Sequence, residues 1–214
     1  MKKFFAVAIL ASLSLLGQSC ASNPADNKPK ATVAEASPEA GSARPAGAET
    51  LTITPDNSKV DFVASKVTRS HNGSFKQFSG TIDFVSASVE QSRVTIEIDT
   101  NSVTTDDDGL TKHLQTPDFF DVNKYPKATF TSTKIEPNAA GGATHNITGN
   151  FDLHGVKKSI SFPATIQVAP DKVSVNAAFA INRKDWGLIY AGKADDLIRD
   201  GVVIKLSLNV PRKP

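Results

Sequence analysis

Cysteine is almost missing from this chain: its 214 residues hold one, Cys20. An internal disulfide framework and a cysteine-rich zinc site are therefore excluded. Net charge is nearly missing as well. Lys and Arg number 24 against 22 Asp and Glu, and loss of Lys2 and Lys3 with a leader would leave the two in balance. No basic run supplies the positive footprint that nucleic acid demands, so nucleic acid is not an expected partner. After residue 16 no apolar run approaches the roughly 18 residues of a membrane-spanning helix. With one Met and one Trp against 12 Phe, the core leans toward β-structure.

Signature motifs of catalysis are absent too. The sequence contains no G-x-S-x-G elbow, no H-E-x-x-H and no phosphate loop. Its four histidines, His71, His113, His145 and His154, follow no metal-ligand spacing. No metal, cofactor or catalytic residue is assigned on this basis.

What is present begins with an export leader. Met1-Lys2-Lys3 precedes an uncharged apolar stretch at 4–16, the make-up of a signal peptide, read here as 1–19. Leu16-Gly17-Gln18-Ser19-Cys20 resembles the lipobox of bacterial lipoproteins, whose cysteine is acylated and begins the mature chain. Gly17 and Gln18 stand where the usual pattern has Leu and a small residue. The resemblance implies lipid attachment at Cys20 and a membrane lipoprotein facing the periplasm. Ala21 in place of Asp implies the outer membrane. Ordinary signal cleavage, giving a soluble periplasmic or secreted protein, is the alternative. Ala, Pro, Ser and Gly fill 18 of the 29 positions 21–49, so residues 20–50 are expected to be a disordered tether.

From 51 to 214 the dominant signal has period two. Val94, Ile96 and Ile98 alternate with polar residues, as do Ile160, Phe162, Ala164, Ile166 and Val168. The same holds for Val173 to Ile181 and for Val202 to Val210. About eight strands of this kind, separated by turn residues such as Asn72-Gly73 and Asp200-Gly201, predict an all-β domain with one buried sheet face. A sandwich and a barrel both bury such faces; closure into an antiparallel barrel also removes the edges. Asp106 to Gln115 breaks the alternation and predicts a short helix, ended by Pro117, that plugs one barrel end. Inward Ala64, Ala128, Gly149, Ala164 and Ala177 either leave room for a ligand or let strands pack closely.

Two polar clusters stand out. Lys66, with Arg69, Ser70 and His71, ends the first long strand on the parity of Val60 and Phe62. It either snorkels to solvent or meets a ligand head. Arg183-Lys184-Asp185-Trp186 ends another strand, with Trp186 either closing the core or lining a pocket.

Together these segments look familiar. The run His113-Leu114-x-x-Pro117-Asp118-Phe119-Phe120-Asp121-Val122-x-Lys124-Tyr125-Pro126 resembles the signature of the polyisoprenoid-binding YceI-like family. So do Ser70-His71-Asn72-Gly73, Ile147-Thr148-Gly149-Asn150-Phe151, and Asn182-Arg183-x-Asp185-Trp186-Gly187, in the same order. The resemblance covers essentially all of 51–211. It implies an extended, eight-stranded lipocalin-like barrel with a capping helix, which binds a polyisoprenoid or other long-chain lipid without catalysis. The cavity lining expected from parity is Phe62, Phe78, Ile82, Phe84, Phe130, Phe151, Phe162, Phe179 and Trp186. Head-group contacts are assigned to Lys66, His71, His113 and Arg183, although many relatives carry His in place of Lys66 and Phe or Tyr in place of Trp186. Three alternatives stay open: an enzyme acting on the lipid head through His71, His113 or His154, a ligand-free stress or adhesion module, and a homodimer.

Overall fold

The computed structural model describes residues 22–38 and 44–212. The signal segment 1–19 and Cys20 lie outside the described residues. In chain order the elements are β1 (Thr32–Glu35), β2 (Glu49–Ile53), β3 (Ser58–Ser65), β4 (Ser70–Phe75), β5 (Phe78–Phe84), β6 (Arg93–Asp99) and β7 (Val103–Thr105). Helix α1 (Asp108–Leu114) follows, then β8 (Lys127–Pro137), β9 (His145–Leu153), β10 (Val156–Val168) and β11 (Lys172–Asn182). The short pair β12 (Gly192–Lys193) and β13 (Asp196–Leu197) precedes β14 (Gly201–Pro211).

The main sheet runs β2-β5-β6-β8-β9-β10-β11-β14-β3-β4-β7, and every neighbouring pair in it is antiparallel. These eleven segments trace eight strands, because three of the eight bend and change ladder. Chain 49–65 contributes β2 then β3, and chain 70–84 contributes β4 then β5. Chain 93–105 contributes β6 then β7. Since β2 pairs with β5 while β3 pairs with β4, each bent strand keeps its neighbours across the corner. The ring closes where β3 pairs with β14. Beyond that ladder Arg212 Nε donates to Glu49 Oε2 at 3.0 Å, and its guanidinium lies 5.1 Å from the Phe84 ring. An eight-stranded up-and-down barrel with one short helix is thus the observed fold, the closed one of the two architectures that the alternation allows.

One large apolar cluster fills the barrel, built from the inward parity of each strand. Not every small inward residue leaves space. A Cβ on Gly149 would stand 2.5 Å from the Phe130 ring, and one on Gly73 would stand 2.1 Å from the Phe62 ring. Both glycines are niches that admit an aromatic ring from the adjacent strand.

The N-terminal segment differs from expectation. Within the expected tether of 20–50, residues 22–37 include built structure laid against the barrel. Asn23 caps a 3-10 turn at Pro24–Asn27, and Ala25 is buried. β1 then pairs antiparallel with β10, from Thr32 opposite Ser161 to Glu35 opposite Lys158. The segment is too poor in large apolar groups to form a core alone. It is ordered because the barrel offers it unpaired backbone and a cluster of outward Val63, Ala180 and Val203 for Ala25 to cover.

Candidate functional site: an apolar lumen under a cap

Two adjacent chambers lie inside the barrel, of about 70 Å³ and about 100 Å³. Phe75, Ile98, Phe151, Ile181 and Ile204 border both. The first chamber continues between Ile96, Phe130, Ile160, Phe162 and Phe179. The second runs toward α1, between Phe62, Ala64, Ala128 and Leu153. All atoms that either chamber exposes are apolar. Unfilled space of this size forfeits roughly 4 kcal/mol of packing, at about 24 cal/mol per Å³. Native cores seldom leave such a void, and a dry apolar space accepts apolar ligands in place of water.

A cap closes the second chamber. Asp107 accepts from the Leu110 N–H at 2.8 Å and so starts α1. Leu114, Phe119 and Phe120 then turn onto the chamber from one side, while Leu188 and Ile198 reach it from the 187–200 loop. The two halves of the cap meet through rings. His113 lies edge-on to Phe119 at 5.0 Å and to Tyr190 at 5.1 Å, and its Nε2 stands 2.8 Å from Asp118 Oδ2.

Of the nine residues expected to line the lumen, Phe62, Phe130, Phe151, Phe162 and Phe179 do so. Phe78, Ile82 and Phe84 are buried in the surrounding core and border neither chamber. They share inward parity, but they lie in the core cluster with Leu51 and Ile53 of β2 and Val94 of β6. Trp186 is also core, fully buried, with Nε1 donating to the Phe151 carbonyl at 3.2 Å. It backs the wall and does not face the space. Parity had already turned Ile98, Ile181 and Ile204 inward, but the preference for aromatic rings passed over them. Phe75 carried no signal, because Ser70-His71-Asn72-Gly73-Ser74 does not alternate.

The expected head-group contacts are dispersed. Lys66 pairs with Asp196 at 3.3 Å outside the cap, so its strand has turned away before it. His113 belongs to the ring contacts of the cap just described. Arg183 alone borders a chamber, yet its guanidinium is committed to the fold. It donates to the carbonyls of Leu188, Ile198 and Arg199 and approaches Asp200 at 3.3 Å. Burial lowers its pKa and Asp200 opposes that shift.

His71 is buried, with Nδ1 2.7 Å from Asp106 Oδ1. Asp106 Oδ2 accepts from the Asn72 N–H at 3.0 Å, and this bond, followed by His71, holds the carboxyl below its ordinary value of 3.8. A depressed carboxyl stabilises the fold above that ordinary value, and the contribution fades as pH falls through the folded-state value. Melting temperatures measured from pH 7 to pH 3 are therefore expected to fall more steeply for the native chain than for Asp106→Asn. Parallel curves would show that the β4–β7 tie is not electrostatic. His154 sits in the β9–β10 turn against Tyr125, ring centres 4.5 Å apart, so the three histidines weighed as catalytic share no site. Among the described residues no three His, Cys, Asp or Glu side chains gather where they could hold a metal ion.

Residues 51–210 match the YceI-like domain. The chain belongs to the YceI-like family. A UPF0312 protein of Pseudomonas putida (strain W619) is 33% identical over 123 residues, covering 55% of this chain and 63% of that relative. A UPF0312 protein of Pseudomonas savastanoi pv. phaseolicola is 35% identical over 136 residues, covering 60% and 70%. The chain thus spans less than two thirds of the length of the first of these relatives. In structure, this YceI-like barrel is similar to Burkholderia cenocepacia BcnA, with a TM-score of 0.66 and 28% identity over 73% of this chain and 98% of that one. It also shares the fold of a polyisoprenoid binding domain from Saccharophagus degradans, with a TM-score of 0.60 and 21% identity over 78% and 99%. The YceI-like match begins at Leu51 and leaves the N-terminal segment with β1 outside it.

Proposed function

We propose that this YceI-like protein is a non-catalytic carrier that holds a long-chain amphiphilic lipid of polyisoprenoid type in its lumen. The observation that carries this reading is the pair of adjacent chambers inside the barrel, which expose only apolar atoms. The description of the Saccharophagus degradans fold relative as a polyisoprenoid binding domain supports the same ligand class. Each CH₂ moved from water into such a space contributes about 0.8 kcal/mol, so affinity comes from the tail and needs few directional contacts. Phe75 and Phe151 border both chambers, so a chain longer than the present space requires their rings to move. The protein is exported, acylated at Cys20, and held at the periplasmic side of the outer membrane.

Mass spectrometry of the full chain extracted from membranes tests both halves. Under native conditions the expected spectrum shows a non-covalent lipid mass, and after denaturation an acyl mass remains on the N-terminal residue. A chain that is empty and takes up no added polyprenol would support a ligand-free module. A chain without acyl mass would place it as a soluble exported protein.

A further inference from the structure

The barrel wall has a seam. β10 pairs with β9 from Val156 to Ala164, but with β11 only from Thr165 to Val168. β11, by contrast, pairs with β14 along its whole length, eleven register pairs from Lys172 to Asn182. Residues 156–163 of β10 and 177–182 of β11 therefore diverge. The sequence encodes the break. The Ala164 carbonyl accepts from Thr144 N–H at 3.0 Å and Ile166 N–H donates to Thr144 Oγ1 at 2.8 Å, both toward the β9 side. Alternation then turns the nitrogen of Pro163 toward β11, where proline has no hydrogen to donate.

Residues 29–37 fill that seam. Ala31 N–H donates to the Ala180 carbonyl at 2.8 Å, and Ala180 N–H donates to the Pro29 carbonyl at 2.8 Å. On the other flank β1 pairs with β10, and the Asn150 side chain grips both backbone groups of Ser37 at 2.9 Å and 2.8 Å. Val33 stands opposite Ile160 and, with Ala31, packs against the central core. Behind the segment are Ile160, Phe162, Phe179 and Ile181, which border the first chamber from the two sides of the seam. Phe162 and Phe179 stack across it at 4.1 Å.

We infer that residues 29–37 are a displaceable strap over a side opening through which the lipid reaches the lumen. The inference rests on the lumen being the lipid site. At this position a break in the ladder has chamber residues directly behind it. Releasing the strap breaks two backbone bonds to β11, a four-residue ladder to β10 and the two Asn150 bonds to Ser37. That is still less than the eleven-pair ladder between β11 and β14. The strap follows closely after Cys20, so an acylated N-terminus places the opening on the side of the barrel nearest the membrane. Lipid then passes sideways between bilayer and lumen without crossing the cap.

Ala34 and Ser159 are register partners on the outer face, so a disulfide between them locks the strap without entering the lumen. The full chain carrying Cys20→Ser, Ala34→Cys and Ser159→Cys has only the introduced thiols. Uptake of dansylaminoundecanoic acid is expected to be at least tenfold slower when the pair is oxidised than after reduction, with equal final loading. Equal rates in the two states would overturn the strap. Hydrogen exchange on the chain without the lock decides its motion separately. Amides 31–35 are expected to exchange well ahead of amides 147–150 in the adjoining β9–β10 ladder, and equal protection would overturn a displaceable strap. Fast exchange at 31–35 with no probe uptake in either redox state would instead overturn the lumen as the lipid site.

Discussion

Replacing Ala64 with phenylalanine is expected to lower affinity for a long apolar chain at least tenfold while the barrel remains folded. Ala64 borders the second chamber beside Phe62 and Phe75, and its methyl leaves the space that a ring would take. The new ring is apolar, so the substitution buries no unpaired polar group. Its strain is of the ordinary overpacking size, about 1–3 kcal/mol. A tenfold loss of affinity corresponds to about 1.4 kcal/mol, or roughly two methylene groups denied their place in the lumen. Competition titrations against a fluorescent fatty acid, with circular dichroism as the fold control, measure the effect. Unchanged affinity in a folded Ala64→Phe chain would show that the ligand does not occupy the capped chamber.

Replacing Arg183 with alanine is expected to destabilise the fold by about 3 kcal/mol, the range for breaking a buried charged network. The carbonyls of Leu188, Ile198 and Arg199 would lose their common donor, and all three belong to the loop that caps the lumen. For a domain of this size the melting temperature should drop by roughly 10 °C. Arg183→Lys should recover only part of this, because an ammonium cannot match the planar fork of donors. If Arg183 instead served mainly as a head-group contact, alanine would weaken lipid binding and leave the melting temperature near its native value.

The inward series at 160–168, 173–181 and 202–210 carry period two because each strand wets one face, which implies about eight antiparallel strands with one buried side. Closure into a ring removes their edges. The bends at 54–57, 76–77 and 100–102 do not show as breaks, yet the strand number survives because each bent strand keeps its neighbours. Parity correctly turned Phe151 and Phe179 to the interior. It could not separate Phe84 from Phe130, because whether an inward ring borders space or fills it depends on neighbouring strands at the same height.

Arg183 and Lys66 were read as candidate ligand contacts, but their partners, Leu188 to Asp200 and Asp196, come from a loop with no periodic pattern. The strap was the least legible element. Ala31 and Val33 have little apolar surface, and what orders them is backbone pairing across a seam set by Pro163, far away in sequence. Composition describes what a segment can bury alone, not what an edge elsewhere will accept from it.

Trp186 gives the most direct test of the lumen. It is the only tryptophan, fully buried, with its ring 5.3 Å from that of Phe151, and Phe151 borders both chambers. Its emission should be quenched by a brominated long-chain alcohol bound to the protein, and should be insensitive to iodide in the surrounding water. A brominated chain that binds by native mass spectrometry yet leaves Trp186 emission unchanged would contradict the account, because the lipid would then lie outside the barrel.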